Sequence, residues 1–465
     1  MLIKNQEATL LIDNTGINGE GIGRFEDITV FVPYALTGEK VRAKILLVKK
    51  NYAVAKLIEV LTPAEERDRP KCPVFCRCGG CQLQHIRYGN QLKIKTNILS
   101  DCFKKIAGLN PEVAPCIKSS FKYNYRNKLA LPVADSNGLI FTGFFGANSH
   151  NIVPIDDCPL HPDWAEKIIA SLKDFMWACK IKGYNERNHS GIIRHVIARE
   201  LNGQIMITLV INADELNCMY FIKALKKIFP SFGLYLNINK EITNVITGDK
   251  YIHVFGSTVL KDEYNGIKYT VGPDSFMQVN NSIKDKLYYK VLDYVKEFPD
   301  STVIDAYSGT GLLAAQMAKF CDKVYTIEIS KEAHAAAEQL ISANNIGDKM
   351  ENIQGDCALH LPKLLAKLEK KNTVLLLDPP RKGVDKDIIK AVIKHKPKSI
   401  LYISCNPATL ARDIGYICGT LDMDKESASP EINNFNNLYK IESIQPFDMF
   451  PQTKHVEVLL CLNRN

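Results

Sequence analysis

The chain of 465 residues contains no uninterrupted apolar run near the roughly 18 residues that a membrane-spanning helix needs, so it does not read as an integral membrane protein. Its first residues, MLIKNQEATLLIDNTG, lack a basic-then-apolar leader with a small-residue cleavage site. Secretion is therefore not expected, and a cytoplasmic location is. Tandem repeats and low-complexity tails are missing as well. With 46% hydrophobic and 24% charged residues the composition is ordinary for a globular protein, which excludes wholesale disorder. Cysteine, by contrast, is plentiful: there are 14. A chain that reads as cytoplasmic rarely keeps disulfides, so a metal centre or a catalytic thiol is the better expectation.

The length predicts two to four domains at roughly 100–200 residues each. Residues 1–62 alternate short apolar strands with turns at Gly16, Gly19, Gly21 and Gly23, the pattern of a small OB-like β-barrel. TPAEERDRP then breaks the pattern, and residues 63–265 mix helix-like and strand-like stretches as a central α+β domain. From 266 to 465 the rhythm is strand, turn and helix, with TVIDAY, KVYTIEI, TVLLLD and SILYIS as apolar strands. That rhythm predicts an α/β doubly wound, Rossmann-like sheet.

Net charge is +8, and its distribution says more than its size. Glu66 to Lys105 holds nine Lys/Arg against three Asp/Glu, and KSSFKYNYRNK at 118–128 holds four bases, three aromatics and no acid. Bases neutralise phosphates and rings stack on exposed nucleobases, so these stretches suit RNA. A solvated charged face over packed aromatics gives the same composition. Between Pro380 and Arg412 lie eight further Lys/Arg and two acids.

In the last third, DAYSGTG at 305–311 ends a strand in a glycine turn before an apolar helix. Gly309 and its neighbours let a ligand approach the helix N-terminus. Glu328, at the next strand end, stands where a carboxylate accepts both hydroxyls of a ribose. The third glycine of a dinucleotide fingerprint is absent, since position 314 is Ala314, and no pyrophosphate signature occurs elsewhere. A nucleoside cofactor without phosphates, S-adenosyl-L-methionine, fits better. Asp356, in QGDC, sits where such folds contact adenine, and Asp378 opens the rigid loop DPPRKG at the carboxyl edge of the sheet. The fifth strand ends at Cys405, in a polar, proline-containing turn that suits an accessible thiol. Glu457, in PQTKHVEVLL, is a candidate general base. Cys72, Cys78 and Cys81, in KCPVFCRCGGC, suggest metal ligation with a fourth ligand from elsewhere, and spacing alone does not separate zinc from an iron–sulfur cluster. Cys76 lies in the same loop and could substitute.

Together these motifs, with SFMQVN at 275–280, SCNPATLARD at 404–413, PQTKHVE at 451–457 and CGGCQLQH at 78–85, resemble the RNA 5-methyluridine (uracil-C5) methyltransferase family, close to its 23S ribosomal RNA enzymes. The N-terminal barrel resembles the RNA-binding TRAM module. The resemblance implies that Cys405 adds to C6 of uracil and that Glu457 removes the C5 proton after methyl transfer. It implies that Gln278 orients cofactor or base, and that Tyr307, Glu328 and Asp378 line the cofactor pocket. It also points to Cys158, in IDDCPLHP, as the fourth ligand and favours a [4Fe-4S] cluster. Arg194 and His195, in SGIIRHVIAR, match a further family stretch and suit either a phosphate or uracil contact or a structural strand. Leu312 departs from relatives that carry asparagine after the second glycine. The implied partner is RNA, 23S ribosomal RNA foremost, acted on by a monomer. Alternatives are a transfer RNA uracil-C5 enzyme, a nucleic-acid amino-methyltransferase, and a non-catalytic iron–sulfur RNA-binding protein. Arg381 after Pro380, where an amino-methyltransferase needs an aromatic ring, disfavours the second. Intact Asp378, Cys405 and Glu457 disfavour the third.

Overall fold

The structure is a computed structural model that describes residues 2–16, 18–136, 138–147, 149–368, 372–423 and 438–465. Strands β1 (Glu7–Thr15), β2 (Gly21–Phe25), β3 (Ile28–Val32), β4 (Lys40–Val48) and β5 (Tyr52–Thr62) close into a barrel of order β1-β2-β3-β5-β4. The period of two along each strand decides what fills it: Ala8, Leu10 and Ile12 of β1 meet Val41, Ala43 and Ile45 of β4 inside. Gly23 is required because a Cβ there would stand 2.6 Å from the carbonyl oxygen of Leu11. Glu39, fully buried, accepts two bonds from Arg67 at 2.5 and 2.7 Å, tying the barrel to the segment that follows it. Burial alone would raise that carboxyl; bonds from Arg67 and the N–H groups of Leu36 and Ala64 hold it below the ordinary value.

Helix α1 (Tyr88–Cys102) runs on into a π-helical turn, Phe103–Ala107. The central sheet has seven strands: β6 (Lys128–Ser136), β7 (Leu139–Phe145), β8 (Ile152–Pro154), β9 (Ile193–Leu201), β10 (Gln204–Ile211), β11 (Phe232–Ile238) and β12 (Lys250–Gly256). Their order is β12-β11-β10-β9-β6-β7-β8. Helices α2 (Trp164–Ala178) and α3 (Met219–Leu225) cover it, with Ile168, Leu172, Phe175 and Phe221 packed against Ile207 and Leu209. The β10–β11 pair is parallel while its neighbours are antiparallel, which is why no regular repeat is visible in this stretch of sequence.

A hairpin, β13 (Leu260–Tyr264) and β14 (Ile267–Val271), leads through a loop to α4 (Asn281–Lys296) and then to the second seven-stranded sheet. Its elements alternate: β15 (Thr302–Ala306), α5 (Leu312–Met317), β16 (Lys323–Glu328), α6 (Lys331–Asn344), β17 (Met350–Gln354), α7 (Cys357–Lys367), β18 (Thr373–Leu377), α8 (Lys386–His395), β19 (Ser399–Ser404) and α9 (Pro407–Ile417). The closing hairpin is β20 (Tyr439–Phe447) and β21 (Glu457–Arg464). The strand order β17-β16-β15-β18-β19-β21-β20 confirms the doubly wound α/β expectation, with five parallel strands followed by β21, which runs the opposite way, and β20, antiparallel to β21. The chain leaves β15 in one direction and returns to β18 on its other side, so the crevice for a ligand opens at the carboxyl ends of β15 and β18. Val374, Leu375, Leu376 and Leu377 of β18 are fully buried, as a strand covered on both faces must be. Among the described residues, no helix is long and apolar enough to cross a membrane.

Candidate active site

The crevice is lined by Asp305, Tyr307, Ser308, Gly309, Asp378 and Gln278, among others. Three features of the local backbone place them. Tyr307 adopts a left-handed conformation, φ 72°, which costs a bulky residue about 1–3 kcal/mol. Gly311 enters α5 at φ 76°, where a Cβ would press to 3.0 Å on Met350 and 3.3 Å on Ala337. The loop that carries Gln278 is held by the central sheet: Asn127 donates to the Gln278 carbonyl oxygen at 2.9 Å, and Arg199 donates to the carbonyls of Gly272 and Ser275.

Two carboxyl groups, Asp305 and Asp378, and one cation, Lys284, whose ammonium lies over the Tyr264 ring, line the crevice. Burial, then the charges of Asp378 and Glu328, pushes the Asp305 carboxyl well above the ordinary range. Burial raises Asp378 to about 7. Glu328 accepts from the Gly309 N–H at 2.8 Å and the Ser330 N–H at 2.7 Å, one bond per oxygen, which leaves lone pairs for hydroxyl donors. The Ser308 hydroxyl is buried without a protein partner. Three carboxyl groups and an unfilled hydroxyl around a glycine turn suit a cationic nucleoside such as S-adenosyl-L-methionine.

Beside this crevice lies a second pocket, lined by Arg381, Cys405, Asn406, Lys454 and His455, with Asn18 of the barrel at its rim. Antiparallel pairing of β19 with β21 reaches Ser404 with Val458, so Cys405 and Glu457 are the next residues beyond the last pair. Asn406 caps α9 through Ala408 N–H at 3.2 Å and donates to the Arg381 carbonyl at 3.0 Å, so the turn after Cys405 grips the DPPR loop. Burial and the neighbouring Glu457 push the Cys405 thiol up, while the Arg381 guanidinium pulls it down. Glu457 is 5% exposed; burial and Asp378 push its carboxyl well above the ordinary range, again opposed by Arg381.

The cysteines of the central region converge elsewhere. Cys72, Cys78, Cys81 and Cys158 line one small cavity together with Arg126 and His161. Cys76 is exposed and does not line it. Among the described residues, no group of three or more His, Cys, Asp or Glu is arranged to hold a metal ion. Four thiols lining one cavity separate zinc from an iron–sulfur cluster no better than their spacing did. Soft sulfur donors with the Arg126 cation beside them, its Nε without a hydrogen-bond partner, suit either occupant.

The residues expected from sequence fall into distinct places. Gln278, Tyr307, Gly309 and Asp378 line the crevice, and Glu328 backs its glycine turn. Asp356 does not line it: the carboxylate is exposed and caps α7, accepting from Ala358 N–H at 2.9 Å. Arg194 donates to Asn239 and to the Glu241 carbonyl and stacks on Tyr184, at the end of β9 remote from Arg199 and the crevice loop. The sequence assigns no site role to Asp305 or Phe276, and Arg381 serves there only to disfavour an amino-methyltransferase. An acid inside the apolar strand VIDAY was the available signal for Asp305. Phe276, 70% exposed at the crevice, carries no such signal.

Comparison with known proteins bears on the family and the fold. A family model described as tRNA (uracil-5-)-methyltransferase matches residues 87–465, and a TRAM domain model matches residues 3–58. An uncharacterized RNA methyltransferase of Clostridium acetobutylicum is 36% identical over 470 residues, covering 99% of this chain and 98% of that protein. One from Caldanaerobacter subterraneus is 36% identical over 457 residues, covering 97% of each. Among solved structures, the Pyrococcus abyssi tRNA (uracil-54, C5)-methyltransferase in complex with S-adenosyl-L-homocysteine superposes with a TM-score of 0.73 at 24% identity, covering 98% of this chain and 100% of that one.

Proposed function

The chain belongs to the tRNA (uracil-5-)-methyltransferase family, and on that premise we propose that it methylates C5 of a uridine in 23S ribosomal RNA through a covalent bond from Cys405 to C6 of the ring. The observation that carries this reading is that Cys405 and the buried Glu457 follow directly on the last β19–β21 pair, Ser404 with Val458, close enough for the Glu457 charge to act on the thiol. Uracil C5 is a poor nucleophile. Addition of the Cys405 thiolate at C6 turns C5 into an enolate carbon and splits one hard step into easier ones. S-adenosyl-L-methionine, when bound, supplies the electrophilic methyl. Glu457 then takes the C5 proton, the C5–H electron pair forms the C5=C6 bond, and the C6–S bond breaks to return the thiolate. Arg381 favours the thiolate at both ends of this cycle. Gln278, which lines the crevice, would orient cofactor or uracil, and the exposed Phe276 beside it offers a ring to stack on the flipped base, which has to leave its helix to reach the pocket.

In this reading residues 1–62 form the RNA-binding barrel, 63–265 the cysteine-bearing domain and 266–465 the methyltransferase domain of a cytoplasmic monomer. Through the resemblance alone, the four cysteines favour ribosomal RNA as the target and a [4Fe-4S] cluster as the cavity's occupant, held by Cys72, Cys78, Cys81 and Cys158. Methyl transfer needs no redox step, so the cluster would serve folding or RNA docking. Protein purified without oxygen is expected to contain about four iron and four sulfide per chain; stoichiometric zinc without sulfide contradicts the assignment. A transfer RNA target is the second reading, favoured by the description of the matched family. Mapping 5-methyluridine in both RNAs from cells with and without the protein decides: loss of one 23S site supports the proposal, and loss confined to transfer RNA overturns it in favour of the second.

A further inference from the structure

The segment that delivers Glu457 is built by the far end of the sequence. Gln452 is 2% exposed and left-handed at φ 72°, a conformation that its own backbone does not favour. It is held by a reciprocal amide pair with Gln91 of α1: Gln91 Nε2 donates to Gln452 Oε1 at 3.0 Å, and Gln452 N–H donates to Gln91 Oε1 at 3.1 Å. The Gln452 carbonyl accepts from the N–H groups of Gln82 and Leu83 at 3.2 and 2.9 Å. Gln82 then reaches both ways. Its Oε1 accepts from Lys454 N–H at 3.2 Å, and its Nε2 donates to the carbonyl of Gly79, between Cys78 and Cys81, at 2.8 Å. Tyr125 donates to the Pro451 carbonyl at 3.0 Å, and the fully buried pair of Lys95 with Asp448 anchors the start of the segment.

We propose that Gln82, Gln91 and Gln452 are positioning residues that fix Glu457 for removal of the C5 proton and connect the cysteine loop to that step. The inference rests on the proposed role of Glu457 and adds to it. None of the three amides lines the crevice or the Cys405 pocket, so they act through the backbone of 452–454. An ångström of displacement at a reacting group is enough to slow a step roughly 100-fold. Proton removal is the step after which the covalent bond is released, so a misplaced base delays release and lets the protein–RNA adduct build up.

The test compares the full-length wild type with Gln82→Ala, Gln82→Glu and Glu457→Gln on a uridine-containing RNA fragment with S-adenosyl-L-methionine. It reads turnover, KM for the cofactor, and the fraction of protein in a denaturation-resistant adduct. Gln82→Ala is expected to slow turnover by roughly 10- to 100-fold, to leave KM for the cofactor unchanged and to accumulate adduct. Gln82→Glu keeps an acceptor for Lys454 N–H but loses the donor to the Gly79 carbonyl, so it is expected to recover turnover only in part, which a merely structural loss would not. A slow Gln82→Ala without adduct, in a series where Glu457→Gln does accumulate it, overturns the clamp alone. Absence of adduct in both overturns the base assignment and the clamp with it.

Discussion

Replacing Cys405 with alanine is expected to lower methyl transfer to RNA by more than about a thousandfold, the scale on which loss of a covalent nucleophile is felt. The variant should fold normally, because Cys405 is half-buried in a turn whose geometry is set by Asn406 and by the knot of Asp413. That carboxylate accepts from Tyr402 at 2.7 Å and from Val384 N–H at 3.0 Å, and none of these bonds involves the thiol. Cofactor binding should persist as well, since the acids that attract a cation lie in the neighbouring crevice. Labelled methyl incorporation checks the expectation. Incorporation at the wild-type rate by Cys405→Ala removes the covalent mechanism.

The second large effect belongs to Glu457. Changing it to glutamine keeps the shape of the buried side chain and removes its basicity, so addition and methylation go ahead while release does not. A slowly migrating protein–RNA band on a denaturing gel is expected, with turnover reduced by at least about a hundredfold. The wild type should show the matching pH dependence. Glu457 binds its proton unusually tightly, so the carboxylate form that can act as base is scarce in acid and grows as pH rises through its raised pKa. The raised Cys405 thiol acts in the same direction. Turnover should therefore climb as pH rises above the range in which ordinary carboxylates titrate. A flat profile, together with normal turnover in Glu457→Gln, shows that the base is another group.

How much of this was visible in the chain depends on whether the signal was local. Strand ends of the second sheet were readable because each closes an apolar run on a polar or glycine-bearing turn: DAYSGTG after β15, DPPRKG after β18, SCNP after β19. The barrel was readable from its period of two and its glycines. Three of the four cavity cysteines sit within one short loop, whereas Cys158 arrives on a separate loop after β8 and came only through resemblance. At Asp356 position does not separate two uses, since a helix N-terminus and a ligand make the same demand on a carboxylate, and Oδ1 accepts from the first turn of α7. Least legible were contacts made across the whole chain. Lys95 and Asp448 are both fully buried and are 353 residues apart, and nothing in either neighbourhood announces the other. The same holds for Gln91 and Gln452, 361 residues apart.

The central claim is that one sulfur atom and one transferred methyl meet on the same uracil ring. The most direct measurement is the mass of the cross-linked peptide from Glu457→Gln incubated with RNA and S-adenosyl-L-methionine, after digestion of both polymers. The account predicts a single modified peptide, the one containing Cys405, carrying a uridine nucleotide heavier by one methyl group. A nucleotide attached to any other residue, or an unmodified Cys405 peptide alongside efficient RNA methylation, contradicts it.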